Sequence, residues 1–180
     1  MLEDECLIWD LKQGDKEALR QIYMKYKDSL LTIAASLLHD SFAAEDVLHD
    51  VFVSFAASVG RLELRVSLRS YLMASVVNRV RDRHRRKKHH MVELDKVGQI
   101  SSDSDGSVQS AIFAEELQLL ADALFELPLE QRETIVLHLN GGMKFKEIAQ
   151  MQHIPINTVQ GRYRYGLNKL RTILSGESKK

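Results

Sequence analysis

Residues 144–174, KFKEIAQMQHIPINTVQGRYRYGLNKLRTIL, constrain the fold most, because they predict two helices separated by a short break. Pro155 disfavours helix at Ile154 and has no backbone N–H to donate, so we expect the break at 153–156. Asn157 stands where an N-cap belongs, and it predicts the start of the second helix. Apolar residues at helical spacing then predict a buried stripe made of Val159, Tyr163, Leu167, Leu170 and Leu174.

The other sides of this second helix are polar and basic. They carry Gln160, Arg162, Arg164, Tyr165, Asn168, Lys169 and Arg171. A helix of this size fits the major groove of duplex DNA, with its N-terminal residues nearest the base edges. An ordinary helical hairpin with a solvated basic face would show the same pattern, so the stretch alone leaves both interpretations open.

Helical spacing of apolar residues continues through the rest of the chain, and no strand-like alternation of any length appears. We predict further helices over 3–11, 16–38, 42–57, 67–90, 111–126 and 129–139. Asp15 and Ser67 are the expected caps of two of them, and 58–66 is the expected loop before the fourth. The buried stripe of 111–126 is predicted to contain Ile112, Leu117, Leu120, Leu124 and Phe125, and that of 129–139 Ile135, Val136 and Leu139.

Residues 93–110 lose this periodicity and have the polar, acidic composition of a flexible linker. The predicted fold is therefore all-α, with two helical domains, 1–92 and 111–175, joined by that linker, and the second contains the helix-turn-helix. The formal net charge is zero, but residues 1–92 carry +2, residues 93–133 carry −8, and residues 134–180 carry +6. Two basic regions separated by an acidic one are more informative than the sum.

Two charged surfaces stand out in the first domain. The helix over 67–90 ends in seven positive charges within ten residues: Arg79, Arg81, Arg83, Arg85, Arg86, Lys87 and Lys88. Such a run favours the phosphate backbone of a nucleic acid, although a solvated helix end is the alternative. The helix over 42–57 carries an acidic patch, Glu45, Asp46, His49 and Asp50, beside an apolar strip, which suits a basic partner helix or simply solvent.

Several classes of function find no support in the sequence. The single cysteine, Cys6, cannot form an internal disulfide, and neither a signal peptide nor a stretch long enough to span a bilayer is evident. We therefore expect a cytoplasmic protein. There is no glycine-rich phosphate loop, zinc-ligand spacing or nucleophile elbow. His49 beside Asp46 and Asp50 is the one candidate metal cluster, and no second ligand cluster supports it, so no metal, cofactor or catalytic residue is expected.

Three segments in register resemble a bacterial RNA polymerase sigma factor of the extracytoplasmic-function (ECF) type. AAEDVLHDVFVSF resembles the region 2 helix that binds the polymerase β′ clamp, and RSYLMASVVNRVRDRHRRKK resembles the helix that meets the promoter −10 element. ALFELPLEQRETIVLHLNGGMKFKEIAQMQHIPINTVQGRYRYGLNKLR resembles region 4, whose helix-turn-helix reads the −35 element. The resemblance covers almost the whole chain and implies an initiation factor that binds core polymerase at its β′ clamp and β flap, binds promoter DNA, and is often held by an anti-sigma protein.

The resemblance also implies which residues contact each partner. The residues expected at the −35 element are Asn157, Thr158, Gln160, Gly161, Arg162, Arg164, Tyr165 and Lys169. Those expected at the −10 element are Arg61, Tyr71, Asn78, Arg79, Arg81, Arg83 and Arg86, with the 58–66 loop holding a flipped base. Those expected at the polymerase clamp are Glu45, Asp46, Val47, His49, Asp50, Val51 and Phe52. Gly161 stands where the family usually has a small polar residue.

Three other hypotheses remain at this point. A stand-alone helix-turn-helix regulator would bind a palindromic site as a dimer without polymerase. A metal-dependent enzyme would use the histidines, and purified protein would then contain a stoichiometric ion. An adaptor would hold a partner helix in its apolar grooves, which is compatible with a sigma factor that an anti-sigma protein holds.

Overall fold

The structure, a computed structural model, describes residues 2–64, 66–90 and 108–176, and every regular element in these ranges is helical. The helices are α1 (Leu2–Lys12), α2 (Lys16–Leu38), α3 (Ser41–Ser58), α4 (Leu68–His90), α5 (Val108–Phe125), α6 (Leu129–Leu139), α7 (Phe145–Gln152) and α8 (Ile156–Leu174). The chain divides into two compact units, one made of Met1–Ala34 and Phe42–Leu94 and the other of Ala35–Ser41 and Asp95–Lys180. The all-α, two-unit prediction is thereby confirmed.

The first unit is built on the apolar sides of α2, α3 and α4. Its core is formed by buried side chains at helical spacing, among them Ile22, Leu30, Ile33, Val47, Val51, Phe55, Leu68, Leu72, Val76 and Val80. The two expected caps are confirmed: Asp15 Oδ1 accepts from the Glu17 backbone N–H at 2.8 Å, and Ser67 Oγ accepts from the Ser70 N–H at 3.1 Å. Each cap satisfies a backbone donor that the first turn of its helix would leave unpaired.

A polar cluster ties α1 to α2 within this unit. Tyr26 OH donates to Asp4 Oδ2 at 2.7 Å, and Lys25 Nζ donates to Asp4 Oδ1 at 2.9 Å and to Glu3 Oε2 at 2.6 Å. Burial alone would raise the pKa of Asp4, but the hydrogen bonds from Lys25 and Tyr26 outweigh it and hold that pKa below its ordinary value. Burial and the hydrogen bond to Asp4 raise the pKa of Tyr26 to about 12.

The connection between α3 and α4 was expected to be a plain loop over 58–66. It begins instead with a 3-10 turn at Val59–Arg61, and the Val59 side chain is buried. Burial of this apolar residue explains the ordered turn, because it anchors the chain just after α3 ends. Lys12 Nζ donates to the Leu62 carbonyl at 2.8 Å and so ties the following irregular segment to α1.

The second unit packs α6, α7 and α8 around a small apolar core. The core contains Ala123, Leu127, Ile135, Val136, Leu137, Met143, Ile148, Ala149 and Val159. After α6, Gly142 has φ +62°, a left-handed conformation that glycine adopts without strain. Gly166 of α8 lies so close to α6 that a Cβ there would be 2.8 Å from Ile135 Cδ1. The absence of a side chain at this position therefore sets how near the two helices approach.

Several local predictions for this unit are wrong. The N-cap of α8 is Pro155, not Asn157, because Pro155 already has extended backbone and its carbonyl accepts from the Thr158 N–H at 3.0 Å. Helix α5 begins at Val108 rather than at residue 111, since no helix breaker lies between Val108 and the end of α5. The rest of the predicted linker, 93–107, lies outside the described residues, so the domain limits stay a prediction.

The expected apolar stripes of this unit are only partly buried. Ile135 and Val136 are buried as expected, and Leu124, Tyr163, Leu167 and Leu170 are half-buried. Five of the predicted core residues are instead exposed: Leu117, Leu120, Phe125, Leu139 and Leu174. Periodicity identifies the apolar side of a helix, but the neighbouring helices decide whether anything covers it. The Ile112 side chain lies outside the described part of the chain. No helix in the described ranges is both long and apolar enough to cross a membrane.

Candidate nucleic-acid interface

Helix α8 has one face held by the second unit and another open to solvent. Val159 and Gly166 are buried against the other helices. Most of the residues expected at the −35 element are exposed: Asn157, Thr158, Gln160, Arg164, Tyr165 and Lys169. Gly161 and Arg162 are half-buried. The helix therefore presents polar and aromatic groups from its first three turns on a firmly packed support.

Three aromatic rings brace the helix-turn-helix from inside. The His138 ring of α6 stacks on Phe145 of α7 at 4.3 Å between centroids and meets Tyr163 of α8 edge-on at 5.0 Å. Phe145 and Tyr163 are 5.1 Å apart. His138 Nδ1–H donates to the Met143 carbonyl at 2.8 Å, so the ring is fixed in orientation as well as in place. These contacts, one ring from each of α6, α7 and α8, thus fix the angle between α7 and α8.

Buried charged residues on α6 extend this support, and the sequence analysis missed them. Arg132 donates to the carbonyls of Phe125 at 2.8 Å and Leu127 at 3.2 Å, and its guanidinium lies 4.3 Å from the Phe125 ring centroid. Desolvation by burial lowers the pKa of Arg132 to about 10. Glu133, also fully buried, accepts from Gln152 Nε2 at 3.2 Å. Arg132 and Glu133 lie one helical turn before the buried Val136 and Leu137, and this spacing is the sequence signal that predicts their burial in the core of the second unit.

Lys169, which is expected at the −35 element, already has a partner within the chain. Lys169 Nζ donates to the Glu126 carbonyl at 3.0 Å, just beyond the end of α5. A cation there complements the negative end of the α5 dipole. Lys169 therefore holds α5 to α8 in this structure, and any DNA contact would have to compete with that bond. The Arg164 guanidinium lies 5.2 Å from the centroid of the neighbouring Tyr165 ring, and this ring forms the edge of the exposed face of α8.

The residues expected at the −10 element lie on α4 and on the turn before it. Arg61, Asn78 and Arg86 are exposed, whereas Tyr71, Arg79, Arg81 and Arg83 are half-buried. Arg79 Nη2 donates to Ser54 Oγ at 2.7 Å, and Arg83 Nη1 lies 3.5 Å from Asp46 Oδ2. These contacts orient two of the basic side chains against α3. The side chains of Lys87 and Lys88 are outside the described part.

The acidic patch on α3 is an exposed row backed by core residues. Glu45, Asp46, His49 and Asp50 are exposed. Val47, Val51 and Phe52, which the resemblance assigned to the same binding face, are buried in the first unit. These three lie on the apolar side of α3, which explains their burial, and Phe52 also lines an apolar groove beside the acidic row.

A groove between α2 and α3 adjoins the acidic row. It has a volume of about 700 Å³ and is lined by the apolar side chains of Leu19, Tyr23, Leu31, Leu48, Phe52 and Val53, with Glu45 and His49 on the α3 side and Lys16, Arg20 and Lys27 on the α2 side. The edge of the Tyr23 ring meets Phe52 with 4.9 Å between centroids. The α2 half of this surface has no distinct signal in the sequence, because Tyr23 stands at a core position of the helical stripe yet is partly exposed.

A second groove of about 540 Å³ lies between α1 and the segment that follows the 3-10 turn. Trp9, which is 63% exposed, and Val66 line it together with Ile8 and Leu64. It borders the 58–66 segment, where the sequence analysis expected a flipped base. Within the described ranges, no group of three or more His, Cys, Asp or Glu side chains is placed to hold a metal ion.

Comparisons with known proteins identify both units. Residues 22–90 match the family model of sigma-70 region 2, and residues 117–170 match that of sigma-70 region 4. The ECF RNA polymerase sigma factor SigW of Bacillus subtilis is 24% identical over 173 residues, covering 91% of this chain and 92% of SigW. The ECF sigma factor SigM of Mycobacterium tuberculosis is 29% identical over 150 residues, covering 83% of this chain and 73% of SigM.

Two solved structures share the fold. CnrH, in complex with the cytosolic domain of CnrY, has a TM-score of 0.74 at 22% identity and covers 97% of this chain and 98% of CnrH. The sigma factor RpoE of Bartonella quintana, in complex with the anti-sigma factor NepR, has a TM-score of 0.69 at 24% identity and covers 87% of this chain and 96% of RpoE. With regions 2 and 4 matched in order, the chain belongs to the sigma-70 family and is a promoter-recognising transcription initiation factor of the ECF type.

Proposed function

We propose that this sigma factor binds core RNA polymerase through α3 and recognises the −10 and −35 elements of its promoters through α4 and α8. The observation that carries the proposal is the exposed polar face of α8 on a helix-turn-helix whose other face is packed. The family membership supports this function over a stand-alone regulator, because both matching family models are parts of sigma factors. Such a factor acts by binding other molecules, and we assign it no catalytic residue, metal or cofactor. We expect it in the cytoplasm, where the polymerase acts.

The −35 contacts are assigned to the exposed side of α8. Asn157, Thr158 and Gln160 lie in its first two turns, which approach the base edges most closely when such a helix enters the major groove. Gly161 allows close approach of a phosphate, Arg162 and Arg164 supply cationic donors, and Tyr165 adds an aromatic surface. Lys169 is the outermost member of the set and reaches a phosphate only by leaving the Glu126 carbonyl.

The −10 contacts are assigned to α4 and the segment before it. The basic side chains from Arg79 to Arg86 would hold the phosphates, and the 58–66 segment, with Tyr71 and Asn78 near it, would accept the flipped base. Residues 1–92 and 108–175 would thus act as two DNA-binding domains, with 93–107 as the linker between them.

The polymerase contacts are assigned to the acidic row of α3, Glu45, Asp46, His49 and Asp50, together with the apolar groove beside it. The acidic row beside the apolar floor suits the basic side of an amphipathic helix, which the β′ clamp would supply, while Lys16, Arg20 and Lys27 line the α2 side of the groove. The exposed apolar residues of α5, such as Leu117 and Leu120, are our candidate for the β flap contact. Because RpoE was solved with the anti-sigma factor NepR, we also expect an anti-sigma protein to compete for these surfaces.

A charge reversal on the acidic row tests the polymerase contact. The double variant Asp46→Lys, Asp50→Lys should abolish holoenzyme assembly and promoter-directed transcription with core polymerase. Both carboxylates are exposed. Breaking the Asp46–Arg83 pair should therefore cost no more than about 1 kcal/mol, and the circular dichroism spectrum should not change.

The matched control is Glu5→Lys, Glu17→Lys, which changes the net charge equally but on α1 and α2. It should assemble and transcribe like the natural chain. Normal assembly of the Asp46, Asp50 variant would refute the proposal. Equal losses in both double variants would show that total charge matters and that the acidic row does not.

A further inference from the structure

A hydrogen-bonded chain of three side chains connects the interior of the second unit to α8. Arg162 Nη1 donates to Gln152 Oε1 at 3.1 Å, and Gln152 Nε2 donates to Glu133 Oε2 at 3.2 Å. The three residues belong to α8, α7 and α6 respectively, so the chain crosses the whole helix-turn-helix. Glu133 is 0% exposed, whereas Gln152 and Arg162 are each half-buried, so the chain runs from the core towards the surface.

The chemistry of the three groups allows only one direction for this chain. A carboxylate accepts, a guanidinium donates, and an amide is the side chain that can accept from one neighbour while donating to the other. Gln152 must therefore turn its oxygen to Arg162 and its nitrogen to Glu133. Because the Glu133 carboxylate is enclosed by α6 and its neighbours, it fixes the amide, and the amide in turn fixes one edge of the guanidinium.

This restraint matters because an arginine side chain is long and has many rotamers. A guanidinium that reads a base edge loses that freedom on binding, and one that is already held loses less. The contact with Gln152 uses one of the five N–H bonds of the guanidinium, which leaves donors for a DNA acceptor. Neither Glu133 nor Gln152 was among the residues that the sequence assigned to DNA.

We propose that Gln152 is a positioning residue: held by the buried Glu133 carboxylate, it orients the Arg162 guanidinium for −35 recognition. This inference rests on the proposed function, because it requires that Arg162 contact the −35 element. Gln152 itself need not touch DNA. Its effect is on which base Arg162 prefers, and the holoenzyme should lose that preference when the amide is removed.

The test measures base preference with the complete holoenzyme. Core polymerase of the same bacterium is loaded with each variant and transcribes a promoter library with a randomised −35 element, and the transcribed templates are sequenced. Gln152→Met keeps the length and helix propensity of the side chain but removes both hydrogen bonds. Glu133→Gln keeps an oxygen that can accept from Gln152. Gln150→Met makes the same change at an exposed position of α7 and is the matched control.

Arg162→Ala should lower the preference for one −35 base by about tenfold, the typical weight of a good arginine–base contact. Gln152→Met should lower the preference at the same base by at least about threefold and leave the other positions unchanged. Adding it to Arg162→Ala should change nothing more, because the group that it positions is gone. Glu133→Gln and Gln150→Met should keep the natural profile.

Two results would overturn the inference while leaving Arg162 in its role. One is an unchanged profile for Gln152→Met when Arg162→Ala alters it. The other is a uniform loss at all templates, with an equal loss in the Arg162→Ala background, which a purely structural role would produce. A profile that Arg162→Ala itself leaves unchanged would instead remove Arg162 from the proposed −35 contacts, and the inference with it.

Discussion

Two glycines of α8 should respond in opposite directions to the same substitution. A Cβ built on Gly161 meets only Tyr165 Cε2, at 3.9 Å, which is ordinary van der Waals contact. A Cβ built on Gly166 would lie 2.8 Å from Ile135 Cδ1 and 3.2 Å from Gln131 Cβ. Both glycines are inside one helix and neither has a positive φ, so the backbone can take alanine at either position. The difference between the free energies of unfolding of the two variants therefore reports the packing of α8 against α6 alone.

The magnitudes follow from two opposing effects. Alanine gains about 0.5–1 kcal/mol over glycine inside a helix, because it loses less backbone entropy on folding. Gly161→Ala should therefore raise the free energy of unfolding by about that amount. Gly166→Ala gains the same amount but overpacks the contact between α6 and α8, which typically costs about 1–3 kcal/mol. Its net effect should be a loss of about 1 kcal/mol, and the two variants should differ by about 2 kcal/mol.

The assay is amide hydrogen exchange of peptides from α6 and α8, supported by urea unfolding followed by circular dichroism. Gly161→Ala should slow exchange in both helices, and Gly166→Ala should accelerate it. Exchange in α1 and α4, which belong to the first unit, serves as the internal reference. If Gly166→Ala proved as stable as Gly161→Ala, α6 and α8 would not be as closely packed as the structure shows, and the reasoning would be refuted.

Three further predictions concern other local features. Because its pKa is raised, Tyr26 contributes stability that is complete below pH 10 and is lost as the pH rises towards 12. Tyr26→Phe should therefore reduce the fall in the free energy of unfolding over that pH range. Part of the fall should remain, because the pKa of Lys25 is also raised. Ser67→Ala removes the cap of α4 and should lower the free energy of unfolding by about 1 kcal/mol in urea titrations, and an unchanged midpoint would contradict the cap. Gly141→Ala would place a Cβ 2.5 Å from the Leu137 carbonyl oxygen, so we expect the melting temperature to fall, and an unchanged value would be evidence against that close approach.

Local signals in the sequence were sufficient for most of the secondary structure. The predicted helix over 16–38 coincides with α2, and the caps at Asp15 and Ser67 are in place. These features depend on neighbours within a few residues, as a cap binds the N–H two or three positions ahead. The prediction failed at Asn157, because the backbone of Pro155 already begins α8 two residues earlier. Which residue becomes the N-cap thus depends on the backbone conformation of the residues before it as well as on the identity of its own side chain.

The sequence alone determined the helical class, the division into a region 2 and a region 4, and the residue types available on α3, α4 and α8, because periodicity and charge are properties of consecutive residues. Tertiary packing decided the rest. It left Leu117 exposed and brought Glu133, Gln152 and Arg162 into one hydrogen-bonded chain. Those outcomes depend on which helices meet and how closely they approach, and residues up to 29 positions apart in the sequence carry no local signal of their contact.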